Sequence, residues 1–394
     1  MKTKKTSPFR KLMNDLHLWL GIASSLVLFV VCLTGTIYTF KTEIQDWMEP
    51  TRYRITAYDT GQRKPVEELV QLVEATTQGT VQRVTLVSKE SKPYVFSVSS
   101  GEEGKRPDAV HVNPYTGEIL GMGKGPGDEF FMTVFKLHRW LLLDSSIGRP
   151  IVGIATIIFC FLSISGLILW FPKKIKGWKS LKPGFKIKFS ANWKRINHDL
   201  HNTLGFYTLL LVLIMSLTGL CWSFEWYRNG LSSVLGAKVF GGRNEVKPES
   251  VVQDKQSITL QEAMDIANKE MNYEYRTLAV SLPKDETAAF EVNKNDLARW
   301  NETVNDRVFI DQYSGAVIKK EIFADKSTGE KIASSIRALH FGDIYGLFSK
   351  IIYFISCLIA TSLPITGIFI WLNKMKRSPK RRYNPYWEYF SMER

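Results

Sequence analysis

The positions of the histidines give the most direct indication of chemistry in this chain. The 394 residues include 6 histidines, and five of these precede long apolar stretches. His17 and His201 share the frame Asp-Leu-His-x-x-Leu-Gly, and His138 and His340 lie in the stretches FKLHRWLLLD and IRALHFGDIYG. Histidine is costly inside a bilayer unless it is bound or paired. The pattern therefore predicts ligand residues.

Two imidazoles on two different helices suit the axial ligation of a haem iron. A zinc site would need more protein ligands, and the sequence offers only one aspartate beside each of His17 and His201. We predict that His17 and His201 hold one haem on the cytoplasmic side and that His138 and His340 hold a second on the outer side. For any single histidine the alternative is a headgroup or backbone contact at the membrane interface. The symmetric placement of four histidines favours ligation.

Glycines follow two of the histidines at repeated distances. Gly21 and Gly205 lie 4 positions after His17 and His201, while Gly35 and Gly219 lie 18 positions after them. Eighteen residues make about five turns at 3.6 residues per turn, so each glycine is predicted to share its histidine's face. A glycine lets a flat porphyrin approach the helix backbone. The alternative is close packing between helices, which small residues also favour.

The two other histidines receive different interpretations. His198 stands where Asn14 stands in the first copy of the frame, about 60° round a helix from His201. It is predicted to contact a haem propionate or the neighbouring ligand, with ligation in place of His201 as the alternative. His111 lies in a predicted strand, where a structural role is expected.

Four stretches that are nearly free of charge must position the histidines. Each holds about 20 residues, which at about 1.5 Å per residue covers the roughly 30 Å hydrocarbon core of a bilayer. The first stretch is predicted to be a span, because it lacks the small-x-small cleavage site of a signal peptide. We therefore expect a four-span α-helical bundle. The stretches are 18–40, 151–171, 203–224 and 351–372.

Basic residues lie in three segments between or beyond the spans. Residues 1–16 hold 5 Lys/Arg against 1 acid, 172–195 hold 9 against none, and 373–394 hold 7 against 2. By the positive-inside tendency these segments face the cytoplasm, and 50–130 and 227–335 lie outside. Juxtamembrane lysines that contact anionic lipid explain this charge better than nucleic acid does. A lipid bilayer is the predicted partner, with no nucleic acid.

The two outer segments repeat a pattern of their own. Residues 65–76 and 258–271 have the apolar spacing of amphipathic helices. Strand-like runs follow both helices, and the stretches VNPYTGEIL and IDQYSGAVI each read as strand, turn and strand. We predict two extracytoplasmic α+β modules, one in each half of an internal two-fold repeat.

The chain is thereby divided into eight predicted segments. They are the N-terminus with the first span (1–49), module 1 (50–128), an interfacial helix with the second span (129–172), the basic loop (173–195), the third span (196–226), module 2 (227–333), an interfacial segment with the fourth span (334–372), and the basic tail (373–394).

The motifs resemble the PepSY-associated transmembrane family over nearly the whole chain. The resemblance rests on DLHLWLG with Thr34-Gly35, LHRWLL, DLHNTLG with Thr218-Gly219, LHFGDIYG, and the turns NPYTGE and DQYSGA. It implies a bacterial inner-membrane protein with both termini cytoplasmic and PepSY-like modules in the periplasm. The ligand histidines that it implies are His17, His138, His201 and His340.

The resemblance also implies an activity. Members of this family look like two-haem ferric-siderophore reductases, which pass electrons through two haem b groups to an Fe(III) chelate outside and release Fe(II). The glycine-rich GMGKGPG lacks the spacing of a dinucleotide-binding motif, so the electron donor is expected to be a separate reductase, a quinol or a soluble reductant. The other function considered is a non-enzymatic sensor or binding protein whose outer modules bind a peptide or an envelope protein.

Overall fold

The computed structural model describes residues 7–55, 61–102, 104–241 and 247–375. Among these residues, four helical segments are long and apolar enough to cross a membrane, which confirms the predicted number of spans. Residues 1–6 and 376–394, which the sequence assigns to the cytoplasmic N-terminus and basic tail, lie outside the described residues. The spanning segments are α1 (Pro8–Thr39), α6 (Ser145–Trp170), α8 (Trp193–Asp199) continued by α9 (Gly205–Ser223), and α13 (Gly346–Met375).

Polar side chains within the spans mostly bond their own helix. The hydroxyl of Ser24 donates to the carbonyl of Leu20 at 2.7 Å, and that of Thr208 donates to the carbonyl of Leu204 at 3.0 Å. Helices satisfy their main chain internally, which a segment inside a bilayer must do. Hydroxyls that bond the preceding turn can therefore be buried at little cost.

The bundle has two distinct ends. Near the start of α1, the guanidinium of Arg10 donates to the carbonyls of Leu169 and Phe171, at 2.7 Å each, at the end of α6. Beyond the end of α1, Glu43 accepts a 2.6 Å contact from Lys350 near the start of α13. Helices α1 and α6 therefore run antiparallel, as do α1 and α13. The basic loop follows α6 at the first end, and the outer segments begin at the second.

Eight strands form one antiparallel sheet in the described part of the chain, in the order β4-β3-β2-β1-β5-β6-β7-β8. Helices α4 (Val66–Thr77) and α11 (Leu260–Glu270) pack against the sheet and share its hydrophobic core. Both helices confirm sequence predictions. The strands are β1 (Thr80–Val87), β2 (Tyr94–Ser99), β3 (Asp108–Val112), β4 (Ile119–Met122), β5 (Tyr275–Ser281), β6 (Phe290–Asp296), β7 (Asp306–Ile310) and β8 (Val317–Glu321).

The two predicted α+β modules, each with one helix and four strands, are joined in a single sheet. Strands β1 and β5, one from each half, pair antiparallel with Val84 opposite Val280 and Leu86 opposite Leu278. These four side chains are buried in one core cluster that includes residues of α4 and α11. Each half by itself would expose an unpaired edge at β1 or β5, and pairing removes both edges.

The order of elements is the same in the two halves. Four strands are followed by a short helix, α5 (Asp128–Trp140) or α12 (Thr328–Phe341), and then by a span. His138 lies in the last turn of α5, and His340 lies in the last turn of α12. These short helices therefore bring their histidines to the end of the bundle that is nearer the sheet.

Candidate functional site

The rings of His17 and His201 face each other between the spans. Their centroids are 6.3 Å apart, and the ring planes are inclined at 85°. His17 lies in the third turn of α1, whereas His201 lies in a single π-helical turn, Leu200–Leu204, between α8 and α9. Such turns are rare in proteins, and those that do occur often lie at functional sites. These two residues are called the inner pair.

His138 and His340 form a second facing pair, called the outer pair. Their ring centroids are also 6.3 Å apart, with the planes inclined at 58°. The ring of Trp222, at the end of the third span, lies 5.1 Å from the ring of His340. The structure thus brings together both pairs that the sequence predicts, one towards each end of the bundle.

Each of the four rings lies against a Ser-Gly or Thr-Gly dipeptide of another helix, which we call its seat. At the glycine of each seat, an added β-carbon would lie 3.4 Å from the Cε1 atom of either inner ring, and 3.1 or 3.0 Å from that of the outer rings. The absent side chain is what lets the imidazole approach the helix backbone. The seats are Ser165-Gly166 for His17, Thr366-Gly367 for His201, Thr34-Gly35 for His138, and Thr218-Gly219 for His340.

The inner histidines bond the hydroxyls of their seats. His17 Nδ1 lies 2.9 Å from Ser165 Oγ, and His201 Nδ1 lies 2.9 Å from Thr366 Oγ1. Both hydroxyls donate their own hydrogen to carbonyls of the preceding turn. Each hydroxyl oxygen must therefore accept, and the hydrogen of each ring is on Nδ1.

The outer histidines bond main-chain carbonyls. His138 Nδ1 donates to the carbonyl of Val31 at 2.9 Å, and His340 Nδ1 donates to that of Met215 at 2.9 Å. A carbonyl oxygen can only accept, so Nδ1 carries the hydrogen here too. In all four neutral rings, Nε2 is consequently the atom with a free lone pair.

Burial disfavours the charged form of both outer histidines. Burial lowers the pKa of His138, and burial together with the neighbouring His138 lowers the pKa of His340 to about 4. A metal binds the neutral form of imidazole, so this environment favours ligation over protonation.

Both pairs could hold a haem iron between two imidazoles. With metal–nitrogen bonds of about 2.0 Å and roughly 1.1 Å from Nε2 to the ring centre, two imidazoles that share one metal would have centroids roughly 6.2 Å apart. The centroid separation of 6.3 Å in both pairs is close to this value. Within the described ranges, no group of three or more His, Cys, Asp or Glu residues is placed to hold a metal ion. Two imidazoles alone suit haem and do not complete a zinc site.

A cavity of about 630 Å³ surrounds the inner pair. Leucine is the commonest residue in its lining, together with isoleucine and aromatic side chains, and Gly21 and Gly205 also line it. The lining includes the cationic side chains Lys11, Lys173 and Lys374, which belong to the basic end of the bundle. An apolar wall with cations at one end suits a flat apolar ring that carries carboxylates.

A family profile decides the affiliation of the chain. The profile of the PepSY-associated TM region matches residues 15–374, which include both histidine pairs and all four seats. The chain belongs to the PepSY-associated TM family. No curated protein matches it.

In this member of the PepSY-associated TM family, two of the four predicted haem-packing glycines lie in seats. Gly35 and Gly219 contact the outer rings, whereas a β-carbon at Gly21 or Gly205 would make ordinary contacts, 3.8 and 3.7 Å, with leucine side chains of the neighbouring span. Those two line the cavity without touching a histidine ring.

Two seats, Ser165-Gly166 and Thr366-Gly367, were not predicted. The signal that could have found them is the dipeptide itself, because each of the four spans carries one Ser/Thr-Gly pair that contacts a ring. The sequence did not single out Trp222 among the tryptophans at the span ends as the neighbour of the outer pair. Spacing along one helix cannot reveal these contacts, since each joins different helices.

The remaining histidines lie apart from the facing rings. His198 is exposed, lines the inner cavity, and has its Nδ1 3.7 Å from the carboxylate of Asp199. It is His201, and not His198, whose ring faces His17. His111 lies in β3 with its ring 5.1 Å from that of Tyr53, in agreement with the structural role expected for it.

Proposed function

We propose that this protein transfers electrons across the bacterial inner membrane and reduces Fe(III) in siderophore complexes on the outer side, releasing Fe(II). One observation supports the proposal: towards each end of a four-span bundle, two imidazoles face each other with centroids 6.3 Å apart and with Nδ1 hydrogen-bonded, so that each pair could hold a haem iron through Nε2. The choice of a ferric siderophore as acceptor rests on the family resemblance.

The chain's own residues would hold and separate two haem b groups. His17 and His201 would ligate one iron, and His138 and His340 would ligate the other. Bound haem would supply a one-electron Fe(III)/Fe(II) couple at each site. From His17 to Gly35, where the outer pair begins, α1 rises about 27 Å at roughly 1.5 Å per residue. The apolar spans between the pairs exclude water and ions.

The orientation that we propose follows the charge. Both termini and the basic loop 172–195, which holds 9 basic residues and no acid, face the cytoplasm. The sheet then lies in the periplasm, and the two halves form an internal two-fold repeat. Electrons would enter beside the inner pair from a separate reductase, a quinol or a soluble reductant.

The test is optical and stoichiometric. Protein purified from haem-replete cells should contain two haem groups per chain and show the reduced α-band of six-coordinate b-type haem. After reduction by dithionite, ferric siderophores should reoxidise it in a stopped-flow experiment. A colourless preparation would remove electron transfer and leave the alternative, a non-enzymatic sensor or binding protein of the envelope. A reduced protein that ferric chelates cannot reoxidise would refute the proposed acceptor only.

A further inference from the structure

We propose that Ser165 and Thr366 are positioning residues that fix the ring orientation, and set the electron-donating strength, of His17 and His201. The inference rests on the proposed function, because it concerns how the chain would tune the inner haem. It assigns to these two hydroxyls a role that neither their sequence position nor the family match provides.

Each inner imidazole donates to a hydroxyl, which in turn donates to a main-chain carbonyl. His17 Nδ1–H donates to Ser165 Oγ at 2.9 Å, and Ser165 donates to the carbonyl of Leu162 at 3.2 Å. His201 Nδ1–H donates to Thr366 Oγ1 at 2.9 Å, and Thr366 donates to carbonyls one turn earlier in α13. The second hydrogen bond orients each hydroxyl so that its oxygen must accept from the ring.

Both hydroxyls are themselves firmly placed. Ser165 is fully buried, and the glycine that follows it contacts the ring of His17. Thr366 is held by its main chain as well, because the side-chain amide of Asn197 donates to its carbonyl at 3.0 Å. Asn197 comes one turn before His201. The helical segment that carries His201 therefore also holds Thr366, the hydrogen-bond acceptor of that histidine, in place.

The outer pair relies more on main-chain acceptors. His138 Nδ1 donates to the carbonyl of Val31 at 2.9 Å and lies 3.4 Å from Thr34 Oγ1. His340 Nδ1 donates to the carbonyl of Met215 at 2.9 Å and lies 3.1 Å from Thr218 Oγ1. Replacement of a side chain cannot remove a carbonyl. At the inner pair a hydroxyl accepts at 2.9 Å, so a single substitution there removes a principal acceptor.

Loss of the hydroxyl should have two measurable effects. A ring N–H that donates a hydrogen bond makes the opposite nitrogen a more basic ligand, and a more basic ligand stabilises the oxidised iron. Without the acceptor, the inner midpoint potential should move upward. Removal of such a hydrogen-bond partner typically weakens metal binding by roughly 10- to 100-fold, so haem should also leave the inner site more readily.

The experiment compares Ser165→Ala and Thr366→Val with the wild-type holoprotein. The measurements are spectroelectrochemical titration of both haem centres and transfer of haem to an acceptor protein. We expect an upward shift of the inner potential, an unchanged outer potential, and about 10- to 100-fold weaker binding at the inner site. Thr366→Ser keeps the hydroxyl and should restore wild-type values.

Two controls match the substitutions. The hydroxyls of Thr156 on α6 and Ser356 on α13 bond carbonyls of their own helices, at 2.7 and 2.9 Å, and lie outside the cavity lining. Thr156→Val and Ser356→Ala should leave both potentials unchanged. If Ser165→Ala and Thr366→Val behave like these controls while the wild type holds two haems, the positioning role is refuted and the proposed function stands. A wild type that binds no haem refutes both.

Discussion

The imidazole of His138 rests on Gly35 of α1, with ring Cε1 3.1 Å from the position that a β-carbon would occupy at that glycine. His340 rests on Gly219 in the same way at 3.0 Å. Atoms in such a contact have no room for an added methyl group unless the ring moves. These two histidines lie on short helices outside the spans. The absence of a side chain at each glycine therefore allows the histidine ring, and the helix that carries it, to approach the bundle closely.

Replacement of the glycine of either outer seat by alanine should therefore displace the histidine ring that lies against it. We expect Gly35→Ala and Gly219→Ala to lower the haem content towards one per chain. The spectrum of the inner haem should remain unchanged. Gly230→Ala is the matched control, because a β-carbon at this helical glycine meets no atom within 4 Å. Pyridine haemochrome quantification decides the question. Two full haems in Gly35→Ala would show that the seat tolerates a side chain.

Alanine substitutions of the histidines should divide into two spectral classes. His17→Ala and His201→Ala should perturb one haem, and His138→Ala and His340→Ala the other, because each class removes a ligand from one facing pair. Low-temperature spectra and electron paramagnetic resonance of the oxidised proteins distinguish the two centres.

Two outcomes would contradict this pairing. Loss of the same species in His17→Ala and His340→Ala would refute it directly. Loss of the inner species in His198→Ala but not in His201→Ala would show that the exposed neighbour is the ligand. His111→Phe is the control, because His111 lies in β3, remote in the sheet, and Phe309 occupies the corresponding strand of the second half.

The joined sheet should unfold as one unit. Leu278 on β5 is fully buried and lies opposite Leu86 on β1, so Leu278→Ala should cost about 2–5 kcal/mol. Hydrogen exchange should accelerate in β2 of the other half as well as in β6. Ile318→Ala on the exposed strand β8 is the control and should change neither. Faster exchange confined to β5–β8 would mean that the halves are energetically separate.

Asp306 should make the stability of the sheet depend on pH. Burial alone would raise the pKa of this carboxyl, but hydrogen bonds from Arg299, the Phe323 amide and Tyr273 outweigh burial and lower it. The unfolded pKa is about 3.9, so the stabilisation is fully present above that value. It is lost as pH falls through the lower folded pKa.

Asp306→Asn should remove this contribution. It removes the closer carboxylate partner of the largely buried Arg299, at 2.7 Å, and leaves only Asp296 at 3.8 Å. Breaking a buried ion pair typically costs about 3–5 kcal/mol, and the remaining contact should keep the cost at or below the lower end of that range. Thermal melting should show a lower midpoint for the variant throughout the range from about pH 4 to pH 7, and the difference should shrink only below about pH 3.9, where the carboxyl begins to be protonated. The exposed Asp254→Asn should melt like the wild type. A difference that grows on acidification would contradict the assigned sign.

Some features were predictable because the signals are local. Span length, charge-free composition and helical apolar spacing predicted the four spanning helices and helices α4 and α11. The repeated frame around His17 and His201 also predicted which histidines would face each other. Strands β1 and β5 were not predicted, so the strand pairing that joins the two halves was not predicted either.

The membrane class, the family and the four paired histidines could be read from the sequence, because each depends on short stretches of residues. The pairing of β1 with β5, and the contact of each ring with a Ser/Thr-Gly dipeptide, became visible in the folded protein alone. These contacts join residues that are far apart along the chain. The hydrogen bond from His138 to Val31 joins residues 107 positions apart, and that from His201 to Thr366 joins residues 165 positions apart. Such contacts exist only after the helices have packed.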